Sequence, residues 1–178
     1  MLSTKKVEHR VNNGIAYVRV GDMNLEQNIT EITESSTYYI AESVKNSDLM
    51  PVGSIIFPKR GGAIATNKKR FVLKFPILVD SNTMAAIPVK SICFYYFSLW
   101  FKNIDLATLG NASVVPQINN KDIEPLLIPL PPLAEQNAIV ERVDRLLEFV
   151  NALELQVTER KSYAQQLMQA VLKEAFAG

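Results

Sequence analysis

The sequence predicts a mixed α+β globular domain followed by one long C-terminal helix, and three observations carry that prediction. All nine prolines lie ahead of Leu133. From Leu133 to Ala177 there is neither proline nor glycine, a span of roughly twelve turns at 3.6 residues per turn. Within it Ile139, Val143, Leu146, Val150, Leu153, Val157, then Ala164, Leu167 and Val171 form a heptad seam, interrupted only at Arg160. Upstream, short runs of β-branched and aromatic residues alternate with Pro, Gly and Asn punctuation, the pattern of strands and turns. The chain therefore divides into a globular part over 1–127, a proline-rich connector over 128–132 and a helix over 133–178.

A length of 178 residues suits one domain, or one domain with an appendage. An apolar content of 48% is that of a globular protein. Net charge is +1, so bulk charge does not argue for a nucleic-acid partner and only a local patch can. Cys93 is the sole cysteine, which fits a reducing cytosol; beside Phe94 and Tyr95 it reads as a buried small hydrophobe, with a reactive thiol as the alternative. His9 is the sole histidine, and one His with one Cys cannot complete a tetrahedral metal shell. No signal peptide is evident at the N-terminus and no run of ~18 apolar residues occurs, so no membrane partner is expected.

In chain order, Ile15–Val20 alternates as a strand and Gly21-Asp22 turns. Ser35-Ser36-Thr37 is placed to cap a short helix with Ile40 and Val44 on one face. Leu49–Gly53 is a turn and Ser54–Phe57 a short buried strand. Asn67–Arg70 is a basic turn. Phe71–Val79 is strand-rich, with Pro76 demanding an edge or a break, and Met84–Val89 is a further strand. Ser91–Lys102 reads as a helix whose aromatic block belongs to the core, a base-stacking platform being the alternative. Ala107–Gln117 is a loop, and Asn119 or Asn120 caps a short turn to Ile123. Leu126–Pro132 is extended because proline fixes its own φ and disfavours helix at the residue before it. Pro131-Pro132 before Leu133-Ala-Glu-Gln136 marks the start of the long helix.

No Ser/His/Asp set, glycine-rich nucleotide loop or Asn-Pro-Pro-aromatic signature is present, so the chain carries no recognisable active site of its own. Its local features are basic. Lys59 and Arg60 end one strand, and Lys68, Lys69 and Arg70 precede another. If those strands are neighbours, the cations share an edge and offer phosphate contacts, or arginine readout of guanine. A solvated surface with gatekeeper charges is the other reading. The loop carrying Asn111, Ser113, Gln117 and Asn119 either approaches base edges or merely connects.

Gly110-Asn-Ala-Ser-Val-Val-Pro-Gln-Ile-Asn-Asn-Lys-Asp-Ile123, then Ile128-Pro-Leu-Pro-Pro-Leu-Ala-Glu-Gln136 and a heptad helix, resembles the specificity (S) subunit of type I restriction–modification systems. Tyr17–Asp22 and Gly53–Phe57 are similar to its target-recognition domain. The resemblance covers nearly the whole chain, and PLPPLAEQ is its most specific part. It implies an α+β target-recognition domain followed by a helix that pairs in an antiparallel coiled coil. It implies a non-catalytic protein that reads half of a bipartite double-stranded DNA target. Two modification (M) subunits would methylate adenine with S-adenosylmethionine, a cofactor this chain does not bind. A restriction (R) subunit would add ATP-dependent cleavage. Full-length relatives carry two repeats; this chain has one, so the expectation is a half subunit, as a truncated gene product or an excised fragment.

The helix supports that expectation on physical grounds. At 1.5 Å per residue it is about 65–70 Å long, more than a compact domain of this size spans. An apolar seam of that length, exposed, is an aggregation hazard, and a second copy can bury it. The seam alone does not distinguish a parallel from an antiparallel homodimer. Arg160 meeting Glu148 or Glu154 across the pair would favour one register. Leu147, Leu155, Met168, Leu172 and Phe176 form a second stripe, for M-subunit helices or for the chain's own globular part. Two other functions compete with a DNA reader: a coiled-coil adaptor whose head binds protein, and an enzyme of unrecognised type.

Overall fold

The computed structural model describes residues 6–7, 14–110 and 114–176. The chain forms two compact units, Met1–Leu133 and Ala134–Gly178. The first is an α+β domain built on two small sheets, and the second is helical, the fold class read from the sequence.

The first sheet contains β1 (Lys6–Val7), β2 (Gly14–Val18), β3 (Tyr38–Ile40) and β6 (Leu78–Val79) in the order β1-β3-β2-β6. Only the β2–β6 pair is parallel. The second contains β4 (Ser54–Pro58), β5 (Arg70–Val72) and β7 (Thr83–Ala86), all antiparallel, with β4 in the middle. Every residue of β4 is buried. Successive strand side chains point to opposite faces, and here both faces are covered. Ile55 and Phe57 enter one core with Ile64, Phe71, Phe97, Phe101, Leu106 and Ile118. Ile56 enters the other with Ala16, Val18, Met23, Tyr38, Val72 and Ile77. That is why the run Ile55-Ile-Phe57 is continuously apolar rather than alternating. Residues 30–32 close the outer edge of β5, with Phe71 N–H donating to Thr30 O at 2.9 Å and Ile32 N–H to Phe71 O at 2.8 Å. Pro76 falls in the break between β5 and β6.

The aromatic block forms α1 (Phe94–Lys102). Phe97 and Phe101 stack at 5.6 Å, and Phe57 meets Phe101 at 5.2 Å, so the block belongs to the core. Tyr95 is the outward member, 57% exposed. The Tyr96 hydroxyl donates to Pro129 O at 2.9 Å and ties the connector to α1. Cys93 caps α1 and is half-buried rather than fully enclosed. Two single-turn helices follow, α2 (Leu106–Leu109) and α3 (Asn120–Ile123). Asn119 caps α3: its N–H donates to Asp122 Oδ2 at 2.8 Å, and its carbonyl accepts the Asp122 N–H at 3.0 Å.

Two strands are shorter than expected, that over Ile15–Val20 ending at Val18 and that over Met84–Val89 at Ala86, and one helix expectation is overturned. Ser35-Ser36-Thr37 does not cap a helix; Tyr38–Ile40 is strand β3, followed by a 3-10 turn at Ala41–Ser43. The hydroxyls that suggested a cap are used elsewhere. Ser35 Oγ donates to Tyr17 O at 2.6 Å and accepts Thr37 N–H at 3.2 Å, while Tyr17 N–H donates to Thr37 O at 2.9 Å. Side-chain bonds to the neighbouring strand thus replace the local bonds that begin a helix. The polar stretch before β3 is organised by Asn28, which is fully buried. Its Nδ2 donates to Asp22 O and Glu34 O, both at 2.8 Å, and its Oδ1 accepts Thr33 N–H at 2.8 Å.

The helical unit is α4 (Leu133–Phe176), 44 residues without interruption, about 66 Å at 1.5 Å per residue. Ile139 and Val143 are half-buried. From Asp144 to Phe176 every residue is exposed in the single chain, including Leu146, Val150, Leu153, Val157, Leu167 and Val171 of the seam. Leu147, Leu155, Met168, Leu172 and Phe176 are exposed as well. No described helix is long and apolar enough to cross a membrane.

Candidate nucleic-acid interface

The two basic clusters lie on the connection between β4 and β5. Because those strands are antiparallel, with Ile56 opposite Arg70, Lys59 and Arg60 leave one strand at the end where Lys68 and Lys69 enter the other. The connection turns through two special backbone positions. Gly61 sits at φ 74°, where a side chain is disfavoured, and Asn67 at φ 50°, which asparagine tolerates. Between them Gly62–Thr66 makes a 3-10 turn whose Ile64 plugs the core.

Lys59 and Arg60 are drawn to the segment at residues 116–118. Arg60 bridges Gln117 in antiparallel fashion, Gly61 N–H donates to Pro116 O at 2.8 Å, and Ile118 N–H donates to Lys59 O at 2.8 Å. Gln117 Nε2 donates to Asn119 Oδ1 at 2.8 Å. Ile118 is the buried anchor of this pairing. The arrangement therefore gathers Lys59, Arg60, Gln117 and Asn119: two cations beside two amides, with Arg60 exposed and Lys59 half-buried. Asn111 and Ser113 lie outside the described residues.

Lys68, Lys69 and Arg70 have other neighbours. Lys68 Nζ donates to Asn24 Oδ1. Lys69 turns inward: its ammonium donates to Ile104 O at 2.6 Å and Asn67 Oδ1 at 2.8 Å, and lies 5.6 Å from the Phe101 ring centre. Burial holds its pKa below the ordinary lysine value, with Asp105 opposing. Arg70 donates through Nη1 to Lys69 O and through Nη2 to Met23 O, both at 2.9 Å. Burial also lowers the Arg70 pKa, and its buried Nε finds no acceptor among the described residues. Lys69 and Arg70 thus stitch the turn to α1 and to the 3-10 turn at Val20–Asn24.

Lys68, Lys69 and Arg70 line a cavity of about 310 Å³ together with Lys102, Thr30 and Thr66. Lys102 was not singled out by the sequence. It ends an apolar helix, and its ammonium sits 5.3 Å from the ring centre of Phe71, 31 positions upstream. A different concavity, of about 360 Å³, carries Asp48 and Asp80 beside Tyr17 and Tyr39. Burial and then Asp80 raise the Tyr17 pKa. Its acids repel a phosphate, so the two hollows have opposite electrostatic character.

A family model described as the type I restriction modification DNA specificity domain matches residues 1–160. The chain is 37% identical over 82 residues to the EcoDI specificity subunit of Escherichia coli, covering 46% of this chain and 17% of that protein. It is 27% identical over 189 aligned positions to the EcoKI specificity subunit of E. coli K12, covering 99% of this chain and 39% of that protein. In fold it resembles the HsdS subunit of Thermoanaerobacter tengcongensis, with a TM-score of 0.65 at 19% identity, over 97% of this chain and 46% of that one. The chain thus spans less than half the length of each. With 160 of its 178 residues matched, it belongs to the type I restriction–modification DNA specificity domain family.

Proposed function

We propose that this chain reads one half of a bipartite duplex target and scaffolds modification subunits, without catalysing a reaction itself. The observation that carries the reading is the family match over residues 1–160. Lys59, Arg60, Lys68, Lys69, Arg70, Gln117 and Asn119, with Asn111 and Ser113, are the residues proposed to meet DNA.

Two copies pair through α4, burying the seam that is exposed in one. Since each head precedes the N-terminus of its helix, an antiparallel pair sets the heads at opposite ends of a rod. Two identical readers related by a two-fold axis then read an inverted repeat with an unread spacer. The second stripe, from Leu147 to Phe176, remains for helices of M subunits, which hold S-adenosylmethionine; an R subunit joins that assembly in the cytoplasm.

The test is selection of bound duplexes from a random pool with the cognate M subunit present. Enrichment of an inverted repeat with one fixed spacer is expected. Retention of no duplex at low salt would overturn the reading in favour of a protein-binding adaptor.

A further inference from the structure

We propose that the cavity between Lys68, Lys69, Arg70 and Lys102 is a clamp for a DNA backbone phosphate, separate in task from the Arg60–Gln117 segment; this rests on the duplex-reading function above. Four cations line one hollow of about 310 Å³ and no carboxylate lines it. None of the four is in an ion pair among the described residues; their partners are carbonyl and amide oxygens and aromatic rings. Asp105 acts on Lys69 from outside the hollow. Neutral partners orient a cation without cancelling its charge, so the hollow keeps a positive field that favours an anion.

The cations divide by freedom. Lys69 and Arg70 are fixed by main-chain oxygens from other parts of the fold and supply a rigid floor. Lys102 is exposed, and Lys68 is half-buried with one amide partner. These two can close on a phosphate oxygen, with Thr30 and Thr66 lining the same hollow. Lysine serves here as a point charge on a flexible stem, which suits a phosphodiester and carries no base information. The Arg60–Gln117 pairing instead presents a guanidinium and amides, groups able to contact base edges in a defined geometry.

The experiment measures affinity for target and non-target duplexes across a salt series. It uses the full chain with its M subunit, as wild type, Lys68→Gln/Lys102→Gln and Lys102→Arg. The clamp predicts that the slope of log K against log salt loses about 0.9 per removed contact, or roughly eightfold in affinity per lysine at ~0.1 M salt. The target to non-target ratio should stay unchanged, and Lys102→Arg should keep the wild-type slope. An unchanged slope in the double variant overturns the clamp and leaves the reader intact. A changed ratio overturns it too, by showing that the hollow reads bases. Inorganic phosphate should displace duplex from the wild type better than chloride at matched ionic strength, and that preference should shrink in the double variant; an equal preference in both overturns the clamp. No duplex binding by the wild type overturns both the clamp and the function it rests on.

Discussion

Strand β4 and helix α4 are both rich in apolar residues, yet they treat them in opposite ways. In β4 all five residues are buried, between two cores supplied by the same chain. In α4 the seam residues Val150, Leu153 and Val157 are 47%, 50% and 66% exposed in the single chain. The strand is complete within one chain; the helix leaves its seam uncovered in one chain. Apolar periodicity states that a face must be buried, and tertiary closure decides whether the same chain does it.

Several substitutions break or sharpen that contrast. The largest effect is expected from Val150→Asp with Leu153→Asp. An uncompensated buried charge costs about 3–5 kcal/mol, so association should fall by more than about 100-fold. Sedimentation equilibrium should find monomers whose heads still melt like wild type. Next, Phe57→Ala should remove about 3–5 kcal/mol from the head. Urea unfolding reads this, and the helix pairing should persist where the head still folds. Asn28→Ala strands the Thr33 and Glu34 amides and the Glu34 carbonyl, costing about 1–3 kcal/mol by the same measurement. The smallest effect belongs to Arg160→Leu, which removes an exposed charge worth about 0.2–1 kcal/mol in a pair. Crosslinking should then detect a shifted register; an unchanged pattern removes Arg160 from register control.

What the sequence made legible follows the range of the interactions involved. The break at Pro76, the cap at Asn119 and the uninterrupted α4 depend on neighbours within a few residues. They were readable because proline geometry, capping and helical periodicity are local. β3 was misread because Ser35 bonds to Tyr17, 18 positions away. Asn28 gave no signal, since an asparagine in a polar stretch looks like any other until its five partners close around it. The basic turn was visible as composition, but the division of labour inside it was not. Lys69 and Arg70 are engaged by oxygens 35 and 47 positions away, and Lys102 reaches the same cavity from the end of α1. The carboxamides of Gln117 and Asn119 meet each other, and a backbone bridge brings Gln117 to Arg60.

The central claim is that a second α4, running antiparallel, buries the seam and sets the separation of the two heads. Pulsed electron resonance between spin labels on paired copies tests it, using Ala138→Cys in a Cys93→Ser background. An antiparallel pair centred near Leu155 places the two labels about 50 Å apart at 1.5 Å per residue. A separation near ~10 Å, or no dipolar coupling because the chain stays monomeric, would contradict the account.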